Sequence, residues 1–155
     1  MFFGEASPFS QWHRCSFVVE GRPFNCAEQF MMHGKALLFG DTEVAANILA
    51  ADHPRSHKAL GRKVKPFDDA TWRREREAIV LAGNRAKFSQ NPALLAQLLA
   101  TAGTTLVEAS PYDRIWGIGL AASDPRAQDR ATWRGQNLLG AILTRLRDEL
   151  GTLST

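Results

Sequence analysis

A mostly helical α+β domain with one small β-sheet is the architecture this sequence predicts, on three observations. Helix-capping residues recur ahead of amphipathic stretches, while strand-like runs are few and short. The 155 residues, 45% apolar and 23% charged, match an ordinary globular protein long enough to bury a core. No internal repeat or linker interrupts the chain, so residues 1–155 are expected to form a single domain.

Composition also narrows the function classes. No apolar run approaches the ~20 residues of a membrane span. The start, Met1-Phe2-Phe3-Gly4-Glu5, lacks the basic and continuous apolar regions of a signal peptide. The cytoplasm is therefore the expected compartment, with no membrane partner. Cys15 and Cys26 have no CxxC spacing and are expected as buried, reduced thiols. A net charge of +3 accommodates an anionic ligand without requiring nucleic acid.

In chain order, residues 1–12 read as a short strand and then a loop. Ser16–Glu20 reads as a strand, followed by a tight turn and a brief return through Phe24. Asn25-Cys26-Ala27-Glu28 has the form of a capping box, with Asn25 as N-cap and Glu28 at the third helical position. That helix is expected to reach Phe39, with Gly40 as its stop. A second helix runs from Asp41 to about Ala51. Pro54 opens a third that ends near Gly61. Arg55, His57, Lys58, Arg62, Lys63 and Lys65 crowd this region, as a solvated face or a phosphate-facing patch. Asp68 or Asp69 caps a long helix over Ala70–Phe88, with Trp72, Ile79 and Phe88 on its apolar stripe. Asn91-Pro92 opens Ala93–Ala100, and Gly103 ends it. Thr104–Val107 reads as a strand, Asp124–Trp133 as polar and irregular. Asn137–Leu150 carries Leu138, Leu139, Ile142, Leu143, Leu146 and Leu150 at helical spacing.

Between that last strand and the irregular stretch lies Glu108–Gly119. Pro111, Gly117 and Gly119 forbid regular structure, so a loop leaving a sheet edge is expected. It gathers Asp113, Arg114 and Trp116 within four positions. Loops set on rigid elements are where site residues concentrate, but the same pattern suits a connector whose Trp packs inward and whose Asp makes an Asx-turn. Gly117-Ile118-Gly119 is no dinucleotide fingerprint, and no P-loop or GxSxG is present. His53 and His57 are four apart, but Pro54 intervenes and no third metal ligand is evident.

What remains is Glu28 on a helix, Lys35 two turns later on the same face, Asp113 on a loop, and the tryptophans. Paired carboxylates suit hydrolysis of a glycosidic bond, and an indole suits stacking on a base. Equally, Glu28 can simply complete its capping box and Lys35 can simply pair with Glu28. The residue chemistry alone leaves both readings open.

Five blocks add a resemblance. They are Asn25–Met32 with Lys35, Lys87-Phe88-Ser89-Gln90-Asn91, Glu108-Ala109-Ser110-Pro111 with Asp113, Trp116-Gly117-Ile118-Gly119, and Arg134–Gly140. In this order they resemble the successive motifs of the NADAR, or YbiA-like, family from about Phe3 to Leu150. Gln11-Trp12 departs from the pattern, standing where the family more often has Asn and then an aromatic.

The resemblance implies a YbiA-like fold and an N-glycosidase that cleaves between a ribose C1 and an exocyclic amine. Its implied substrates are phosphoribosylamino-pyrimidine intermediates of riboflavin biosynthesis or, alternatively, ADP-ribosylated guanine in DNA or RNA. A non-catalytic module holding NAD or ADP-ribose is the third reading, against which intact Glu28, Lys35 and Asp113 argue. The lack of a long basic arm favours the small-molecule substrate. Carried over by position, the catalytic residues are Glu28, Lys35 and Asp113. The substrate-binding residues are Trp116, Gly117, Asn137, Trp72 and Arg73, although a tryptophan on an apolar stripe also serves as core. Arginines of the basic stretch or Arg73-Arg74 are expected at a phosphate. The chemistry requires no metal and no cofactor.

Overall fold

The computed structural model describes residues 1–153, which hold six α-helices and a two-stranded sheet. No helix among them is long and apolar enough to cross a membrane. The chain divides into two compact units, Gln11–Asn91 and Met1–Ser10 with Pro92–Thr155.

The Gln11–Asn91 unit begins with an antiparallel hairpin of β1 (Phe17–Val19) and β2 (Arg22–Phe24), in register Phe17↔Phe24 and Val19↔Arg22. Its two-residue turn, Glu20-Gly21, has positive φ at both positions, the geometry that matches strand twist. Helix α1 (Ala27–Leu38) packs against α2 (Thr42–Ala50), α3 (Pro54–Gly61) and α4 (Asp69–Gln90). Asp41 and Asp68 cap α2 and α4 through side-chain oxygens, and Pro54 occupies the first turn of α3, as expected. Helices α1 and α4 meet closely because each offers a glycine. A Cβ on Gly34 would strike Ile79, and one on Gly83 would strike Phe30.

Two local expectations for this unit are corrected. Asn25 does not cap α1. Cys26 is the N-cap residue, with no side-chain cap, and the Gln29 side chain instead accepts from the Asn25 amide at 2.8 Å. Cys15 is only half-buried, although Cys26 is fully enclosed and both thiols are free.

In the other unit, α5 (Pro92–Leu99) and α6 (Leu138–Leu153) pack on one another. The apolar stripe of α6 buries Leu139, Ile142, Leu143, Leu146 and Leu150 as its spacing predicts. Buried Arg147 donates to the carbonyls of Thr101 and Thr104 just beyond α5. Two short 3-10 turns, Pro125–Gln128 and Arg130–Thr132, organise the stretch expected to be irregular. Residues 104–107 are not a strand. They form no ladder: position 104 is a bend, and the one bridge nearby is a parallel one between Glu108, just beyond the run, and Phe2. Val107, Ala109, Ile118, Leu120 and Ala127 form a local core with Trp133 against it.

Candidate active site

Glu28 lies in the first turn of α1 and is 5% exposed. Burying a carboxylate carries a large desolvation cost, so its presence here needs a reason beyond packing. The capping-box role expected of it belongs to Gln29. Lys35 follows two turns later, where a lysine's side chain leans back toward the helix N-terminus. Its Nζ lies 4.8 Å from the centre of the Phe67 ring and 5.5 Å from that of Trp72. Burial pushes the Lys35 pKa below the usual lysine range. The Glu28 carboxylate opposes that shift, and the nearby Arg62 charge reinforces it. Glu28, Lys35 and Trp72 therefore form one electrostatically coupled group. Trp72, buried on α4, is at once core and a wall for the ammonium.

The entry to α1 is held from behind. The Glu28 amide donates to the Gln11 carbonyl at 2.9 Å. The Gln11 side-chain oxygen accepts from Asn84 Nδ2 at 2.9 Å, and the same Nδ2 donates to the Val80 carbonyl. That carbonyl fixes the orientation of the Asn84 amide, which leaves its buried Oδ1 without a hydrogen-bond partner among the described residues. Cys26 Sγ lies 3.5 Å from His57 Nδ1, and His57 Nε2 lies 2.7 Å from the Ala51 carbonyl. A carbonyl can only accept, so Nε2 carries the proton and Nδ1 accepts from the thiol. Burial raises the Cys26 pKa to about 11, consistent with a neutral thiol. Lys87, 0% exposed, has its pKa pushed down to about 8 by burial, against the influence of Cys15 and Cys26.

The Glu108–Gly119 loop belongs to the other unit and is built on backbone hydrogen bonds. The carbonyls of Arg114, Ile115, Trp116, Gly117 and Ile118 accept from the amides of Gln136, Leu138, Leu139, Asn137 and Arg134 respectively. The loop thus caps the start of α6, satisfying amides that a helix N-terminus leaves open. Such close approach requires Gly135, where a Cβ would collide with the Gly117 carbonyl. Gly117 itself has the Asp113 and Glu108 carbonyls 3.0 Å from its missing Cβ. Asn137 takes φ +53, a region asparagine tolerates. Its side chain accepts from the Glu108 amide at 2.9 Å and donates to the Leu106 carbonyl at 3.1 Å. Asp113 Oδ1 accepts from the Ile115 and Trp116 amides at 2.9 and 2.8 Å. Both Asp113 and Trp116 are half-buried.

Of the expected site residues, Glu28, Lys35 and Trp72 come together in one unit, and Asp113, Trp116, Gly117 and Asn137 are gathered in the other. Asn137 and one oxygen of Asp113 are engaged in shaping the loop. Arg73 is exposed and pairs with Asp69 one helical turn away at 2.8 Å. His57, counted with the basic stretch, is buried. A groove of about 950 Å³ beside α6, lined by Thr105, Arg130, Trp133, Gln136, Asn137 and Arg145 among others, includes neither Asp113 nor Trp116. Four residues that neighbour Lys35 or the entry to α1 were not singled out from the sequence for these contacts: Phe67, Asn84, Lys87 and Gln11. Lys87 and Gln11 stood within or beside the quoted blocks. Asn84 and Phe67 carried no signal of their own.

Across nearly its whole length the chain matches a family model, that of the NADAR domain, over residues 1–151. It belongs to the NADAR family. N-glycosidase R617 of Acanthamoeba polyphaga mimivirus is 44% identical over 146 residues, 91% of this chain and 86% of that protein. N-glycosidase YbiA of Escherichia coli (strain K12) is 30% identical over 149 residues, 96% of this chain and 82% of that protein. The NMR structure of E. coli YbiA matches with a TM-score of 0.80 at 27% identity, covering 99% of this chain and 84% of that one. A third relative, riboflavin biosynthesis protein VVA0006 of Vibrio vulnificus, is 30% identical over 91% of this chain, which spans 35% of that protein. The fold of this NADAR chain is that of YbiA, and its enzyme class is hydrolase, of N-glycosidase type.

Proposed function

We propose that the protein hydrolyses the bond between ribose C1 and the exocyclic amine of a phosphoribosylamino-pyrimidine. The buried Glu28 carboxylate coupled to Lys35 is the observation that carries this reading. The relative named for riboflavin biosynthesis supports the substrate. In the reaction the C1–N bond breaks, water supplies hydroxyl to C1, and the departing amine takes up a proton. Glu28 is positioned as the acid–base group for that proton.

Lys35 has two chemical uses. As an ammonium it balances the Glu28 carboxylate, and the two aromatic faces favour that charge. As an amine it attacks C1 of the ring-opened sugar, displacing the base amine through an imine that water then hydrolyses. Burial is the largest influence on its pKa and favours the amine. The family resemblance supports Asp113 as the second carboxylate: within its own loop Oδ1 accepts two amides, and Oδ2 makes no hydrogen bond among the described residues. Trp116 supplies a stacking surface for the base, and Asn137 and Gly117 shape the loop that presents it.

The test is incubation with the phosphoribosylamino-pyrimidine and, separately, with ADP-ribosylated guanine in an oligonucleotide, followed by mass spectrometry. Release of pyrimidine amine and ribose phosphate is the expected result. Turnover of the oligonucleotide alone overturns the substrate assignment, and turnover of neither overturns the reading.

A further inference from the structure

The run from Pro54 to Phe67 carries Arg55, Lys58, Arg62, Lys63 and Lys65 and no acidic residue. All five cations are exposed, and among the described residues none forms an ion pair. The nearest acids are otherwise engaged. Asp52 pairs with Arg14, and Asp41 caps α2 while accepting from the Lys65 amide. Helix electrostatics explains only part of this. Cations near a helix C-terminus are favourable, which covers Lys58 and Arg62, but Arg55 sits at the unfavourable end and Lys63 and Lys65 lie beyond the helix.

The end of α3 is tied to the Glu28–Lys35 site by packing. Gly61 abuts the Met32 side chain, where a Cβ would collide. Met32 and Lys35 are three apart on α1 and so share a face. Val64 is buried and pins the strip, while Arg62 and Lys63 on either side of it in the chain project to solvent. Three residues further on, Phe67, 46% exposed, lies under Lys35 Nζ. The strip from Arg62 to Phe67 therefore borders Lys35, and the Arg62 charge is felt there.

We propose that Arg62 and Lys63 form the phosphate subsite of the Glu28–Lys35 site, taking the phosphate carried by the ribose of the substrate. This rests on the function proposed above and adds the residues that hold the anion. A phosphate supplies the counter-charge that this strip lacks. Arginine's planar fork grips two phosphate oxygens, and lysine adds a mobile point charge. Arg55 and Lys58, further back on α3, lie outside the subsite. The phosphate is either the monoester of a phosphoribosylamine or the first phosphate of an ADP-ribosyl group.

The experiment compares wild type with two double variants, Arg62→Ala/Lys63→Ala and Arg55→Ala/Lys58→Ala. Binding of ribose 5-phosphate and of ribose is measured by calorimetry, independently of turnover. Hydrolysis of the phosphorylated substrate and of its dephosphorylated nucleoside form is measured in parallel. Loss of charge-assisted contacts should weaken ribose 5-phosphate binding, and raise KM for the phosphorylated substrate, by about ten- to a hundredfold. KM for the dephosphorylated substrate should change far less than KM for the phosphorylated one in the Arg62/Lys63 variant. Any effect through Lys35 reaches both substrates alike, so the ratio isolates the phosphate contact. The Arg55/Lys58 variant should stay within about twofold of wild type throughout. Equal losses on both substrates, or unchanged ribose 5-phosphate binding, overturn the subsite. So does a loss in the Arg55/Lys58 variant as large as in the other with steep salt dependence, which would mark a polynucleotide surface. Ribose 5-phosphate binding that depends on Arg62 and Lys63 without hydrolysis of the phosphoribosylamino-pyrimidine would keep the subsite and remove the substrate assignment proposed above.

Discussion

Replacing Lys87 by methionine removes a buried ammonium while nearly conserving side-chain volume. The native environment lowers the Lys87 pKa from 10.5 to about 8, chiefly by burial. Unfolding restores the higher value, so between those two pH values the unfolded chain binds the extra proton. Stability therefore rises with pH across that window, because the burial penalty on the charged form is fully present below about pH 8 and is relieved by deprotonation. At roughly 1.4 kcal/mol per pKa unit, the shift amounts to about 3 kcal/mol of pH-dependent stability. Urea unfolding at half-unit intervals from pH 7 to 10.5, on wild type and Lys87→Met, measures it. The difference between the two proteins should change by about 3 kcal/mol in favour of wild type as pH rises, with other titrating groups cancelling. A difference flat across that range would mean that Lys87 keeps its proton in the folded state, and the burial argument would be wrong.

Glu28→Gln keeps the side chain's size and removes its charge; kcat should fall by about 10²–10⁴-fold with little change in melting temperature. Activity within a few-fold of wild type would return Glu28 to a structural role. Borohydride added during turnover should trap a ribosyl adduct on Lys35, in a yield that climbs with pH through a midpoint below 10.5. Arg62→Ala should move that midpoint upward, since the Arg62 charge helps depress the lysine's pKa. A fully active Lys35→Arg variant with no adduct would leave Lys35 as the electrostatic partner of Glu28. Asn137→Ala strips two backbone contacts and places alanine at φ +53, so chemical denaturation should show a loss of about 2–3 kcal/mol. Raised KM with unchanged stability would instead make Asn137 a direct substrate ligand.

Local chemistry was readable without the fold. Asp41 and Asp68 accept from amides three residues ahead, and Pro54 has a fixed φ, so these helix starts depend on residues adjacent in sequence. The leucine stripe of α6 was legible because its buried positions are apolar. On α4 the same rule found Trp72 and Phe88 but missed the polar half of the buried face. The buried face runs through Trp72, Arg76, Val80, Asn84, Lys87 and Phe88, so half of it registers as solvent-facing on any hydropathy pattern. Only packing against a neighbouring element can tell a buried lysine from an exposed one.

The chemistry-bearing residue types at Glu28, Lys35 and Asp113, and the glycines beside Trp116, were determined by the sequence itself. Their surroundings were decided by contacts between residues far apart in the chain. The Gln11 carbonyl took the Glu28 amide that an Asn25 cap would have accepted, and the Gln29 side chain, not that of Glu28, took the Asn25 amide. The β-branched run at 104–107 found no ladder, since its hydrogen bonds went to Phe2, Asn137 and Thr144 instead. Each was a competition for the same donors and acceptors, and tertiary structure alone settles which partner is within reach.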